Sequence, residues 1–263
     1  MKKITPHTLQ EYKQQNEKFS CLTAYDACFS HYMSEAGIEV MLVGDSLGMV
    51  LQGLDSTVPV SMDTMVYHTQ CVKSRAHGPL IMSDLPFMSF ATAESALHNA
   101  TRLMQAGAEI VKLEGGSWTM PIVKQLTERG IPVCVHLGLT PQSVHKLGGY
   151  KVQGKDNPGA ELMLKEAKEA EHAGADILLL ECVPATLATD ITATLNIPVI
   201  GIGAGAGTDG QVLVLHDMLG LNPGKMAKFV KNFMVDSNDI PTALSAYHQA
   251  VKTRQFPKPE HFF

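Results

Sequence analysis

Apolar positions along this chain gather in short continuous runs, separated by longer stretches in which apolar residues recur three and four positions apart. The first pattern is that of a strand covered on both faces, the second that of an amphipathic helix. Strands are predicted at 20–25, 39–44, 80–84, 109–114, 132–136, 177–181, 198–202 and 212–216. Helical periodicity is predicted near Ser61 to Arg75, Thr92 to Gln105, Ala160 to His172 and Ala185 to Leu195. A repeat sharpens the picture: AGIEVMLVGDS from Ala36, AGAEIVKLEGG from Ala106 and AGADILLLECV from Ala173 each read as helix end, turn and strand. In each, a small residue and a glycine can close a helix before the Val/Ile/Leu run begins. Shorter echoes near Gly130 and Ile197 open a buried strand with Pro, at the one position that spares its ladder. About eight strand-then-helix units in this length favour an α/β fold of the (β/α)8 TIM barrel kind over an open doubly wound sheet.

Residues 1–18 are polar and are expected to add an N-terminal helical extension, while the tail from Gln255 to Phe263 carries two prolines and is expected on the surface. No linker divides the chain, so residues 1–263 are expected to form a single barrel domain.

Five of the apolar runs end in an ionisable residue: Asp45, Asp84, Glu114, His136 and Glu181. A carboxylate straight after such a run is costly unless a metal, a base or a reaction uses it. In a barrel all five would meet at the C-terminal rim, where barrel enzymes keep their chemistry. Strand alternation puts Lys112 on the face of Glu114, roughly 6.6 Å away along the chain. Crowded carboxylates repel, so some must be protonated or share a cation. Oxygen donors without Cys or a paired His motif favour a hard ion, Mg²⁺ before Mn²⁺ or Ca²⁺. The competing reading is that each acid caps a helix or pairs with a neighbouring cation. His136 fits either a hydrogen-bonded core residue or a catalyst, and Lys112 either a structural partner of Glu114 or a ligand-binding amine.

Two loops stand out. GIGAGAGTDGQ from Gly201 suits either an anion-binding nest or plain tight turns. HLGLTPQSVHKLGGYKVQGKDNPG from His136 is a long polar connection, expected to act as a lid or substrate loop.

Composition narrows the class. An apolar share of 45% supports a sizeable core, and a net charge of -5 without any basic stripe excludes a nucleic-acid or anionic-membrane surface as the expected partner. No stretch approaches the roughly 20 apolar residues of a membrane span, and the N-terminal segment lacks the apolar centre of a signal peptide. A cytoplasmic location is therefore expected. Cys21, Cys28, Cys71, Cys134 and Cys182 form no CxxC pair and are expected as small buried residues in a reduced compartment, with Cys182 alternating away from the face of Glu181.

Six ordered blocks, GDSLGMVLQGLDSTVPVSMD, SDLPFMSF, VKLEGG, VCVHLGLTPQSVHKLGGYKVQG, LLLECVP and PVIGIGAGAGTDGQVLVLHDMLG, together resemble the ketopantoate hydroxymethyltransferase family from about Thr5 to the C-terminal segment. One departure is Ala227, where the family often has Pro, which touches only a local turn. The resemblance implies a one-carbon transferase of pantothenate and coenzyme A biosynthesis. It would use 5,10-methylenetetrahydrofolate as co-substrate and 3-methyl-2-oxobutanoate as acceptor. It implies Asp45 and Asp84 as Mg²⁺ ligands that also face the substrate, with Glu114 in the metal site. Ser46 and Lys112 would hold the oxo acid, His136 would belong to the same pocket, and Glu181 would be the catalytic base. It also implies a homo-oligomer, a decamer. Three rivals remain: a Mg²⁺-dependent lyase or mutase of the phosphoenolpyruvate mutase and isocitrate lyase type, a phosphate-binding biosynthetic barrel, and a non-enzymatic barrel with rim ion pairs. The first is disfavoured because no KKCGH-like segment occurs.

Overall fold

Eight parallel strands close into a barrel in sequence order, the first pairing with the last. They are β1 (Phe19–Thr23), β2 (Val40–Val43), β3 (Leu80–Asp84), β4 (Ile110–Glu114), β5 (Val133–Gly138), β6 (Ile177–Glu181), β7 (Val199–Ile202) and β8 (Gly210–Leu213). The computed structural model describes residues 3–224 and 226–263, so Met1 and Lys2 of the expected extension lie outside it. Nearly every strand residue is buried, because helices cover the outside and side chains fill the inside.

Helices follow most strands: Met62–Lys73, Ala93–Ala106, Asn157–His172 and Ala185–Thr194 lie where the periodicity predicts, Ala27–Ala36 ends where the repeat places a helix end, and Met120–Thr127 and Ile240–Lys252 have no predicted counterpart. Short side chains start them. Asp26, Ser61, Thr92, Asp156 and Asp239 each accept a backbone N–H of the first turn, which satisfies a donor the helix cannot.

The seventh crossover departs from the expected strand-then-helix unit. Residues 203–209 carry the chain from β7 to β8 without a helix. Their glycines explain how so short a link fits against the barrel: Gly205 has φ +84°, and a Cβ there would come within 2.6 Å of the Ala185 side chain. Close packing is thus reason enough for the glycine at that position. β8 begins two residues earlier than predicted, since Gly210 and Gln211 carry no apolar signal, and it ends where a short helix, Leu215–Met218, starts.

The N-terminal helix spans Pro6–Gln14 and closes the bottom of the barrel. Its Lys13 Nζ lies 2.8 Å from Asp209 Oδ2 and donates to the Thr192 carbonyl at 2.8 Å. Beside it, buried Glu39 gathers the base of β1 and the last long helix. Its Oε2 accepts the Ser20 N–H at 2.8 Å and the Ser20 hydroxyl at 2.6 Å, and its Oε1 lies 3.2 Å from Lys252 Nζ. Burial pushes the Glu39 carboxyl up, but the hydrogen bonds of His248 and Ser20 outweigh it and hold the group below its ordinary value.

Glu39→Gln is expected to lower unfolding free energy by about 1–3 kcal/mol at neutral pH, the usual range for leaving buried donors poorly matched. A depressed folded-state pKa stabilises above the ordinary glutamate range and loses that contribution as pH falls through the folded value. Urea unfolding should therefore show the gap between wild type and variant narrowing toward acid. A gap that is constant with pH would mean that the carboxylate charge contributes nothing.

Candidate active site at the barrel mouth

Strand register assembles the rim. Asp84 on β3 pairs with Lys112 on β4, Glu114 on β4 with His136 on β5, and Gly138 on β5 with Glu181 on β6. Inward alternation then stacks Lys112 beneath Glu114 and brings side chains from separate strands within contact.

The contacts are close. Lys112 Nζ lies 2.9 Å from Asp84 Oδ1 and 3.8 Å from Glu114 Oε1. The pair with Asp84 is at ion-pair distance but outside hydrogen-bond alignment, and Asp84 Oδ1 has no hydrogen-bond partner. Asp84 Oδ2 accepts the Asp45 backbone N–H at 3.0 Å, which fixes the turn after β2 against β3. His136 bridges the two halves: its Nδ1 is 3.3 Å from Glu114 Oε1, and its Nε2 is 3.4 Å from Glu181 Oε2. Ser46 Oγ lies 2.9 Å from the Tyr25 hydroxyl.

Electrostatics follow from this crowding. Burial pushes the Asp45 carboxyl well above its ordinary value, and the charges of Asp84 and Glu114 add to the effect. Burial also raises Asp84, although Lys112 opposes it. Burial works against the Lys112 charge, yet Asp84, Glu114 and Asp45 keep its proton bound far above the usual range. For His136, burial and the Lys112 charge are outweighed by the Glu114 and Glu181 carboxylates beside its two nitrogens, and the ring is pushed up to about 9. A protonated ring carries an N–H on both nitrogens, so the 3.4 Å approach of Lys112 Nζ to Nδ1 is a contact between cations, made tolerable by the surrounding acids.

All the residues singled out from sequence, Asp45, Ser46, Asp84, Lys112, Glu114, His136 and Glu181, line one cavity of about 680 Å³. Asp45, Asp84, Lys112, Glu114 and His136 are buried, while Glu181 keeps 14% of its side chain exposed. Tyr150, Phe229 and Phe263 form much of its apolar wall. A wider groove of about 920 Å³ lies outside the barrel against the helices 120–127 and 157–172 and contains none of these groups.

Three features were not visible in sequence. Gln142 is 5% exposed and reaches two of the acids at once. Thr57, also buried, lines the cavity with a hydroxyl that has no hydrogen-bond partner. Cys182 lines the cavity as well, contrary to the expectation from alternation, because its φ of +48° breaks the strand at that residue. The motif around Gln142, LGLTPQS, offered the only signal, a Pro-led turn in a long loop. That loop is not all coil: it holds a turn at Pro141–Ser143 and a short helix, Val144–Leu147.

The donor set suits a hard divalent cation. Four carboxyl groups, Asp45, Asp84, Glu114 and Glu181, face two basic groups, Lys112 and His136, and the same cavity's Asp217 and Lys228 add one charge of each sign, so two negative charges remain uncompensated when all are ionised. Among the described residues no three or more His, Cys, Asp or Glu side chains are grouped to hold an ion by themselves. Mg²⁺ is usually held by one or two carboxylates with the remaining positions left to water and substrate, a number that Asp45 and Asp84 would supply. Glu114 is already engaged, accepting the Gln142 N–H on Oε2 and facing His136 and Lys112 with Oε1.

A family model for ketopantoate hydroxymethyltransferase matches residues 3–259. The chain belongs to the ketopantoate hydroxymethyltransferase family. A relative from Marinobacter nauticus, 3-methyl-2-oxobutanoate hydroxymethyltransferase, is 61% identical over 260 residues, covering 99% of this chain and 98% of its own. The enzyme of that name from Shewanella loihica is 57% identical over the full length of both. Among solved structures, phosphonopyruvate hydrolase in complex with oxalate and Mg²⁺ superposes with a TM-score of 0.61 at 13% identity, over 80% of each chain. A 2,3-dimethylmalate lyase of the phosphoenolpyruvate mutase and isocitrate lyase superfamily gives a TM-score of 0.59 at 13% identity, over 82% of this chain and 81% of that one. At such identities the likeness is one of fold. Membership of the ketopantoate hydroxymethyltransferase family makes the chain a hydroxymethyl-transferring enzyme. No helix among the described residues is long and apolar enough to cross a membrane.

Proposed function

We propose that this chain transfers a one-carbon unit from 5,10-methylenetetrahydrofolate to 3-methyl-2-oxobutanoate, giving 2-dehydropantoate, with Mg²⁺ held by Asp45 and Asp84. The observation that carries the reading is the division of the acids: a buried Asp45 and Asp84 pair beside Lys112, and a partly exposed Glu181 across His136. The metal would supply positive charge to the ketone oxygen as the C3 proton leaves. Lys112 adds charge at the same end of the cavity, and the Ser46 hydroxyl offers a donor to the acid. Glu181 takes the proton, because a carboxylate held away from the cation keeps the basicity that the task needs. His136, with an N–H on each ring nitrogen when protonated, orients Glu181 and Glu114. The carbon then forms its new bond to the methylene carbon of the opened co-substrate, and water cleaves the remaining bond from that carbon to the folate nitrogen, its oxygen staying on the hydroxymethyl group and its proton going to the nitrogen of the departing tetrahydrofolate. The proposal includes a cytoplasmic homo-oligomer, a decamer as the family resemblance implies.

Exchange of the C3 proton of 3-methyl-2-oxobutanoate in deuterated water, with Mg²⁺ and with or without the folate donor, tests the reading. Exchange with Mg²⁺ and product only with donor is the expected result. Cleavage of an isocitrate-like acid instead would align the chemistry with the lyases that share its fold.

The cavity also leaves room for the donor. About 680 Å³ falls in the range that drug-sized ligands fill and far exceeds what a five-carbon acid needs. Tyr150 and Phe263 present exposed aromatic rings on its wall, suited to a flat bicyclic ring. Tyr150→Ala and Phe263→Ala are each expected to raise the KM for the folate about 2- to 10-fold, the worth of one aromatic contact, while the KM for the oxo acid stays put. Steady-state kinetics in both substrates separates the two; an equal rise in both constants would remove these rings from the donor site.

A further inference from the structure

We propose that Gln142 is a positioning residue for the cation site, a built-in clamp that sets the orientation of Asp45 and holds Glu114 away from the ion. The inference rests on the metal reading above.

The side-chain amide of Gln142 spends both of its N–H bonds. Nε2 donates to Asp45 Oδ2 at 2.8 Å and to the Leu85 carbonyl at 3.0 Å. Two acceptors around one nitrogen also fix which end of the amide is nitrogen, since an oxygen there would face a carboxylate and a carbonyl. The backbone N–H of the same residue donates to Glu114 Oε2 at 2.9 Å. One residue therefore ties β2, β3 and β4 together at the rim, from a position 97 residues beyond Asp45.

Local sequence explains how it reaches. The turn Pro141–Ser143 starts with a proline whose fixed φ suits a first helical position, and the Ser143 N–H closes it on the Thr140 carbonyl at 2.8 Å. Just before it, the Leu139 N–H donates to the Glu181 carbonyl at 2.8 Å, so the segment is anchored to the strand of the base as well. Gly138 makes that approach possible: its φ is +91°, and a Cβ would lie 2.3 Å from the Glu181 carbonyl oxygen.

The consequence for the cation is directional. With Oδ2 committed to an amide, Asp45 offers Oδ1, and it does so as a single oxygen. With Oε2 committed to a backbone N–H and Oε1 facing His136, Glu114 shapes the field around the ion and leaves coordination to Asp45 and Asp84. A glutamine is suited to this place because a carboxylate would repel both acids and an aliphatic chain would leave the Asp45 oxygen free to rotate. Hydrogen-bonded partners of metal ligands typically cost about 10–100-fold in metal affinity when removed.

The test uses Gln142→Met and Gln142→Leu, two apolar replacements, so that one remains if the other fails to fold. Mn²⁺ binding to the whole protein, read by electron paramagnetic resonance in the absence of either substrate, should weaken about 10–100-fold. The Mn²⁺ concentration giving half-maximal C3 exchange should rise in parallel, and lost exchange should return as Mn²⁺ is raised. A folded variant that binds Mn²⁺ as wild type does would overturn the proposal, even if its melting temperature falls, because that pattern marks a merely structural residue. If wild type itself binds no Mn²⁺, the metal reading fails and this inference fails with it; if wild type binds and both variants bind equally, only the role of Gln142 is lost.

Discussion

Glu181→Gln is expected to slow exchange of the C3 proton of the oxo acid by about 10²- to 10⁴-fold, the usual contribution of a placed general base. Binding of Mn²⁺ as a probe ion should stay within about twofold of wild type. The Glu181 carboxylate sits on β6 with 14% of its side chain exposed, and the ring of His136 lies between it and Glu114. Gln keeps the shape and can still accept from His136 Nε2, so the substitution removes basicity while leaving packing nearly intact. Exchange measured by proton NMR in deuterated water reads this step before the folate enters. A variant exchanging at the wild-type rate would strip Glu181 of the base role and direct attention to the remaining rim acids.

Asp84→Asn should have the second large effect, on the metal rather than on the base. Asn can still accept the Asp45 N–H that Asp84 Oδ2 receives at 3.0 Å, but it brings no charge to the cation. Losing several kcal/mol of charge stabilisation corresponds to a fall in turnover on the order of 10³-fold or more, with metal affinity falling alongside. Stability should fall as well, because Lys112 is 3% exposed and Asp84 is its nearest counter-charge at 2.9 Å. Breaking a buried pair from one side costs about 3–5 kcal/mol, less here because Glu114 stays 3.8 Å from the same nitrogen. Titration calorimetry with Mg²⁺ and chemical unfolding measure the two losses separately. If Asp84→Asn binds the ion with wild-type affinity, Asp84 serves as the counter-charge of Lys112 and nothing more.

The barrel was legible because a parallel sheet buried on both faces writes itself as unbroken apolar runs, such as ILLL before Glu181 and MLV two residues before Asp45. The rim acids were legible for the same reason: each interrupts such a run at its C-terminal end. β8 was misplaced by two residues because Gly210 and Gln211 look like loop, and their strand character comes from pairing with β1 and β7. The missing seventh helix could be read only from the short distance between two strands, which requires knowing where the second begins. Gln142 stayed hidden because its partners are chosen by the path of a loop rather than by any periodicity. Cys182 was misassigned because alternation assumes extended backbone, and a left-handed residue ends that assumption.

Closure of the ring has an effect beyond chemistry. With β1 hydrogen-bonded to β8, the sheet offers no unpaired backbone edge among the described residues. Recruitment of a foreign or sibling strand by ladder extension is therefore closed to the native protein. Copies of this chain that associate must meet through helix flanks and loops, where side chains, and not the repeating peptide groups, decide who fits.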